Sequence, residues 1–432
     1  IIGNPPYIES RSSVLLETVK DAILKGIQSR HPNDGHLITR GADILVYFYE
    51  RALSILKSAG YLSYITQNAW LDTDYGLKFQ RFLRRNTFVI GVYDNDTKSF
   101  GESANINTII TLFKGTKPVE NLDTTFAKFD VGFDVAPYDP KVISRSNAIG
   151  LVNNVSPADA ILNEFKWGII LNSDKLIIDL HRRLYENEPE IRPAFRIGQG
   201  LNITKNHFAD LESISEMKIN EESLLPYFTV DDGAPFEIRK TINFLFDESK
   251  LSKEEKASLK SFGFLPTIIN KQSREAPTLV LPRGVGRYFC ASNLCEAYTS
   301  SFVEIYIEKD EYFEMNMLSL WTFLNSSVGW LVREISGRKN LGGGMLKAEA
   351  TDLKNYPIFF DLNDDFPKIR ELFWKLKTRE ADGIIPEINS AEHHEIDKII
   401  YRRLGYRNDE QKLVTERLID MVSARIGKSI KK

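Results

Sequence analysis

The tetrapeptide Asn4-Pro5-Pro6-Tyr7 concentrates more chemistry than any other stretch of the chain. It follows Ile1-Ile2-Gly3, which reads as the tail of a buried strand, and the loops after such strands are where ligands bind in open α/β sheets. The residue types suit one task, the activation of an amine conjugated to a ring. The lone pair of that nitrogen is delocalised, so it is a poor nucleophile. An Asn side-chain oxygen and a neighbouring backbone carbonyl can both accept hydrogen bonds from it. They draw it toward a tetrahedral shape and favour the charge that develops as it attacks a methyl group. Two prolines fix the backbone, aim the carbonyl that follows Asn4 and bring no competing N–H. Tyr7 offers a flat face for a base turned out of its stack. The simpler alternative is a plain turn, for which Asn-Pro-Pro is also well suited.

The elements that must position this loop follow in order. Asp43 to Ala59 has helical spacing in Ile44, Phe48, Leu53 and Leu56, and Gly60 stands where a helix stop belongs. Tyr61 to Thr66 reads as a strand, Asp74 to Arg85 as a second helix, and Phe88 to Tyr93 and Ile106 to Phe113 as two more strands. This alternation predicts an α/β domain with a mainly parallel sheet. The last two strands have no helix between them and are expected to pair antiparallel at the sheet edge. Ser173 to Tyr185 reads as a helix. From about residue 190 short apolar runs such as Thr278 to Leu281 and Ser301 to Ile307 are punctuated by Gly, Pro and Asn, which predicts a mixed α+β domain. Residues 366–380, 394–404 and 409–426 have helical spacing. The expected organisation is a catalytic-type domain at 1–130, a linker and connecting helix at 131–189, a second domain at 190–360 and a helical extension at 361–432.

The loop and the segments after it resemble the amino-methyltransferases that use S-adenosylmethionine, in particular adenine-N6 DNA methyltransferases of the TaqI-type and type IIG restriction–modification families. Ala42 to Leu53 and Gly60 to Leu71 look like the helix, strand and loop that follow the Asn-Pro-Pro-Tyr sequence in those families. The resemblance implies that Asn4 and the Pro5 carbonyl bind the target amine, with Pro6 fixing the turn, and that Tyr7 stacks on a flipped adenine. Ser99-Phe100-Gly101 resembles the loop whose aromatic meets the base from the other side, which makes Phe100 a second stacking candidate; an aromatic there suits a hairpin core equally well. In these families the glycine-rich cofactor loop and its acidic partner precede the Asn-Pro-Pro-Tyr sequence. Neither Gly198-Gln199-Gly200 nor Gly342-Gly343-Gly344 has the context to replace them. The resemblance therefore implies the second half of a Rossmann-like methyltransferase sheet, in a C-terminal fragment inactive alone, with its cofactor site upstream of Ile1 and a fused nuclease there as an open alternative.

Residues 190–360 resemble the target-recognition domain of TaqI-type enzymes, through Arg196 to Asn206, Leu281 to Phe289, Leu324-Asn325-Ser326, Gly342 to Lys347 and Asp352 to Ile358. Local charge fits double-stranded DNA as the partner. Between Ser261 and Cys295 stand Lys271, Arg274, Arg283 and Arg287 against the single acid Glu275. Gly284 and Gly286 would let the backbone approach phosphate, and Arg338-Lys339 form a second basic loop. Solvated surface charge is the plainer reading for any one of these residues. The triplets Asp352-Leu353-Lys354 and Glu248-Ser249-Lys250 have the short form of a nuclease motif but no evident partner acid.

Composition bounds these readings. The chain has 432 residues and, with 56 Lys and Arg against 59 Asp and Glu, a net charge of -3. That excludes nucleic-acid binding by bulk charge, though not by a local groove. Two cysteines, Cys290 and Cys295, exclude a disulfide scaffold and fit a reducing compartment, a prokaryotic-type cytoplasm if the resemblance holds. They form no zinc ligand set with the histidines. No apolar run reaches the roughly 18 residues of a membrane span. Two other functions stay open: a DNA-binding specificity module without catalysis of its own, and a methyltransferase acting on protein glutamine or RNA.

Overall fold

The computed structural model describes residues 1–9, 17–95, 107–115, 122–129, 133, 149–186, 195–268, 275–286, 288–337, 346–354 and 362–430. They form two compact units, Ile1–Arg182 and Arg183–Lys432.

The first unit is a six-stranded sheet with helices. In chain order its elements are β1 (Ile2–Gly3), α1 (Glu17–Arg30), α2 (Ile44–Ser54), β2 (Tyr61–Gln67), α3 (Asp74–Asn86), β3 (Phe88–Asn95), β4 (Thr108–Lys114), β5 (Thr124–Phe129), β6 (Ile149–Val155), α4 (Ile161–Glu164), α5 (Trp167–Asn172) and α6 (Lys175–Glu186). The strand order is β1-β2-β4-β3-β5-β6. Only β1–β2 and β3–β5 are parallel; the other three neighbouring pairs are antiparallel, so the sheet is mixed rather than mainly parallel. β3 and β4 pair antiparallel as expected, but in the middle of the sheet. β4 inserts between β2 and β3, where Ile109 and Phe113 are wholly buried. Strands β5 and β6, from the stretch read as transition and linker, complete the far edge.

Helix α3 forms where the spacing predicts. Thr73 caps it by accepting from the Gly76 N–H at 3.2 Å, and Leu77, Phe79, Phe82 and Leu83 face the core. Gln80, fully buried, staples the start of α5: its amide donates to the Leu71 carbonyl at 3.3 Å and accepts from the Trp167 N–H at 3.1 Å. Helix α2 ends at Ser54, short of Ala59, because the chain tightens through Ile55 into a turn closed by the Gly60 N–H on the Lys57 carbonyl. Glu50 of α2 is buried but receives both arms of Arg30, at 2.8 and 2.7 Å, and His31 at 3.1 Å, which fixes α1 to α2.

Among the described residues the second unit holds two larger sheets and a two-stranded ribbon. Its strands are β7 (Phe195–Gln199), β8 (Phe208–Asp210), β9 (Leu224–Phe228), β10 (Glu237–Ile238), β11 (Asn243–Phe246), β12 (Leu279–Pro282), β13 (Gly284–Val285), β14 (Ala291–Asn293), β15 (Tyr298–Thr299), β16 (Phe302–Ile307) and β17 (Leu346–Lys347). One sheet runs β10-β14-β12-β16-β7, the other β15-β9-β11-β8, and β13 pairs with β17. The helices are α7 (Leu211–Met217), α8 (Lys253–Ser261), α9 (Phe313–Leu324), α10 (Ser327–Ser336), α11 (Ala350–Leu353), α12 (Phe366–Leu376), α13 (Ile384–Ile388), α14 (Ala391–Arg403) and α15 (Asn408–Ile430). The architecture is thus α/β, then α+β, then helical.

The terminal helices are bound into this unit by buried polar contacts. On α10, Ser327 donates from its hydroxyl to Asp397 of α14 at 2.6 Å, and lies 2.9 Å from His393. Also on α10, the wholly buried Glu334 accepts from Arg425 of α15 at 2.9 and 2.6 Å and from the Tyr288 hydroxyl at 2.7 Å. Burial raises the Tyr288 phenol well above its usual value, and the Glu334 charge adds to this. The 361–432 extension is therefore held to the second domain's own core.

Candidate active site

The Asn4–Tyr7 loop leaves the carboxyl end of β1. β1 runs parallel to β2, with Gly3 opposite Tyr64, and a side chain at Gly3 would come within 2.9 Å of the Tyr64 ring. Absence of a side chain is what lets the loop start this close to β2. β1 is an edge strand and Ile2 is 90% exposed, so the expected burial of the Ile1-Ile2 pair is not met. The strand has one neighbour among the described residues, and nothing described covers its outer side.

Within the loop Asn4 is exposed, Pro5 buried, Pro6 exposed and Tyr7 half-buried. Partial burial raises the Tyr7 phenol, so the ring meets any ligand uncharged. Tyr64, which lies against Gly3, belongs to an aromatic cluster. Tyr49 of α2 packs edge-on against Tyr64 at 4.9 Å and Phe79 at 5.3 Å, and its hydroxyl sits 2.6 Å from Thr111. Burial pushes the Tyr49 phenol up as well.

The chain leaving Tyr7 is tied down at once: the Ile8 carbonyl accepts from the Ile44 N–H at 3.2 Å, at the start of α2. Beside that bond stands Asp43, buried, whose Oδ2 accepts from the Gln67 amide at 2.8 Å and from the Tyr75 hydroxyl at 2.7 Å. This node was not evident in the sequence. Its partners are 24 and 32 residues away, and an Asp directly before a helical run reads as a cap. In fact the Asp43 side chain makes no cap bond to α2.

Phe100, Lys271, Arg274, Arg287, Arg338 and Lys339 lie outside the described residues, as does Gly342-Gly343-Gly344. Arg283 is described. It stands just after β12 and donates to Glu349 at 2.9 Å, and Glu349 also pairs with Lys347 at 2.7 Å. Burial alone would raise the Glu349 carboxyl, but the bonds from Arg283 and Lys347 hold it below its usual value. Gln199, with its amide turned to face the pair, accepts from Arg283 and donates to Glu349. The guanidinium is thus part of a scaffold joining β7, β12 and the start of α11. Gly198 and Gly200 belong to the same scaffold: Gly198 pairs with Glu304 in the sheet, and the Gly200 N–H donates to the Phe302 carbonyl. Asp352 closes a capping box with Glu349, which gives the Asp352-Leu353-Lys354 triplet a structural place.

The S-adenosylmethionine implied by the resemblance can be tested against these residues. Among those described in the first unit, no glycine-rich turn links a strand to a helix in the manner of an adenosine site. The described residues of this unit therefore do not fit the adenosyl group.

The parallel pair β1 and β2 thus delivers Asn4-Pro5-Pro6-Tyr7 at its carboxyl end, beside Tyr64. Comparison with known proteins gives the following similarities. Residues 1–100 match the family model described as Eco57I restriction-modification methylase. Type II methyltransferase M.XhoI of Xanthomonas vasicola is 23% identical over 235 residues, covering 54% of this chain and 41% of the relative. Among solved structures, the Type IIL restriction-modification enzyme MmeI in complex with DNA shares the fold, with a TM-score of 0.54 at 11% identity over 99% of this chain and 57% of that one. The type IIG restriction endonuclease BpuSI aligns over 99% of this chain and 54% of its own, with a TM-score of 0.45 at 14% identity. The chain spans two fifths to just over half the length of these relatives.

Proposed function

We propose that this chain contributes the target-amine site and the DNA-reading domain of a site-specific adenine-N6 DNA methyltransferase in a restriction–modification system. The observation that carries the proposal is the Asn4–Tyr7 loop, rigid through Pro5-Pro6 and anchored at Ile8, inside the segment that matches a restriction–modification methylase.

In this reading the target adenine leaves the duplex and stacks on Tyr7, with Phe100 as its second stacking partner. The Asn4 side-chain oxygen and the Pro5 carbonyl each accept one hydrogen bond from the exocyclic N6. Together they localise its lone pair for attack on a methyl group and disperse the positive charge that develops, and the surplus N6 proton passes to solvent. The electrophilic methyl group would come from S-adenosylmethionine, whose site the described residues do not complete.

DNA is favoured over protein glutamine or RNA by the large second unit, whose fold is shared with an enzyme solved on DNA. Residues 190–360 are assigned as the recognition domain, with Lys271, Arg274, Arg287, Arg338 and Lys339 as candidate contacts. Arg283 is engaged instead by Glu349. Methyl transfer to duplex DNA by the full-length protein, compared with Asn4→Ala, tests the assignment. Undiminished transfer by the variant rejects it.

A further inference from the structure

Two separate segments meet at the buried Asp43 carboxylate, and a third is fixed one residue away. The chain leaving Tyr7 is fixed by the Ile44 N–H on the Ile8 carbonyl, one residue from Asp43. The carboxyl end of β2 is fixed by Gln67 donating to Asp43, and the first turn of α3 by Tyr75 donating to the same oxygen. Because β1 and β2 are parallel, Gln67 lies at the same end of the sheet as Asn4.

Asp43 occupies the cap position of α2 in extended backbone, yet its side chain forgoes the cap bond. The carboxylate is instead turned onto β2 and α3. Its work is therefore cross-linking rather than helix initiation, and what it cross-links are the end of β2, the strand beside the Asn4–Tyr7 loop, and the first turn of α3.

Resting on the methyl-transfer reading above, we propose that Asp43 is a positioning residue for that reaction. It holds the Gln67 end of β2 and the Tyr75 turn at a fixed distance from the start of α2, and so sets where Asn4 and the Pro5 carbonyl meet the target amine. A shift of about 1 Å in such a support is expected to slow turnover by up to roughly 100-fold. Substrate binding by the second unit should be left alone.

The test is steady-state methylation of duplex DNA by the full-length protein carrying Asp43→Ala, Asp43→Asn, or Asp43→Asn with Gln67→Glu, each checked for thermal unfolding. In the double variant the amide introduced at position 43 donates to the carboxylate introduced at position 67 and to the Tyr75 hydroxyl, so the cross-link is rebuilt with its polarity reversed. Asp43→Ala should lower kcat by roughly 10- to 100-fold while KM for DNA stays within about threefold. The double variant should recover to within about fivefold of the parent. Parental kcat in folded Asp43→Ala, or a folded double variant no faster than Asp43→Asn, overturns the proposal. Should the double variant not fold, Tyr75→Phe decides: a drop of several-fold in kcat at constant KM supports the role, and no drop rejects it. Asn4→Ala is assayed alongside. Full activity there overturns the methyl-transfer reading itself, whereas loss of activity there with none at Asp43 rejects only the positioning role.

Discussion

Removal of the Arg425 guanidinium would leave Glu334 stranded. Glu334 is fully buried on α10, and one of its oxygens collects three donors: Arg425 Nε at 2.9 Å, Arg425 Nη2 at 2.6 Å and the Tyr288 hydroxyl at 2.7 Å. Arg425→Leu deletes the two charge-assisted bonds and the only cation that donates to this carboxylate in the hydrogen bonds described. The Tyr288 hydroxyl remains. Breaking one side of a buried pair costs about 3–5 kcal/mol, because the remaining charge is neither solvated nor matched. For a unit of this size each kcal/mol moves the midpoint by roughly 2–4 °C, so the transition should fall by about 10 °C. The cost belongs to the unpaired charge, and this gives the control. Arg425→Leu with Glu334→Leu removes both charges and, among the described hydrogen bonds to Glu334, orphans the Tyr288 hydroxyl, a cost of about 1–2 kcal/mol, and adding Tyr288→Phe should recover most of that. Differential scanning calorimetry of the parent and the three variants reads these steps directly. A single variant less than about 1 kcal/mol down, or a double variant as unstable as the single, would refute the idea that a paired buried charge docks α15.

Gly76→Ala should destabilise the first unit severely, since its new methyl carbon would lie 1.6 Å from the Trp70 carbonyl oxygen, whereas Gly41→Ala, with nothing within 4 Å, should change the melting temperature little. Glu387, buried on α13, receives both arms of Arg379 at 2.7 and 2.6 Å and the Asp382 N–H; burial alone would raise its carboxyl, but these bonds hold it below its usual value. Its stabilising contribution is therefore full above the ordinary Glu value of about 4.3 and is lost as pH falls through the lower folded one. Stability of Glu387→Gln should accordingly fall short of the parent at pH 7 and converge with it below about pH 4 in urea titrations. Arg283→Ala should lower the unfolding midpoint without changing the salt dependence of DNA binding. A slope smaller by about one would mean that the guanidinium leaves Glu349 for a phosphate.

How far these features could be read from sequence depends on the range of the contacts that decide them. Helix α3 was legible because Thr73, Leu77, Phe79, Phe82 and Leu83 lie within one local period. The insertion of β4 between β2 and β3 was not, because the order of strands is set by which apolar faces bury one another across the sheet rather than by either strand's composition. The Asn4–Tyr7 loop could be read because its chemistry is carried by four consecutive residues. The Asp43 node and the Arg283–Glu349 pair could not, since each joins residues far apart in the chain. Arg283 reads as a DNA-contacting cation in the sequence because its partner, Glu349, lies 66 residues on.

The central claim is that Asn4 activates an exocyclic adenine amine. It is tested most directly by incubating the full-length protein with duplex DNA and methyl-labelled S-adenosylmethionine, then digesting the DNA and identifying the labelled nucleoside. The account predicts label in N6-methyladenine alone, and a loss of roughly 100- to 1,000-fold for folded Asn4→Ala. Label in another base or in protein, or full transfer by Asn4→Ala, would contradict it.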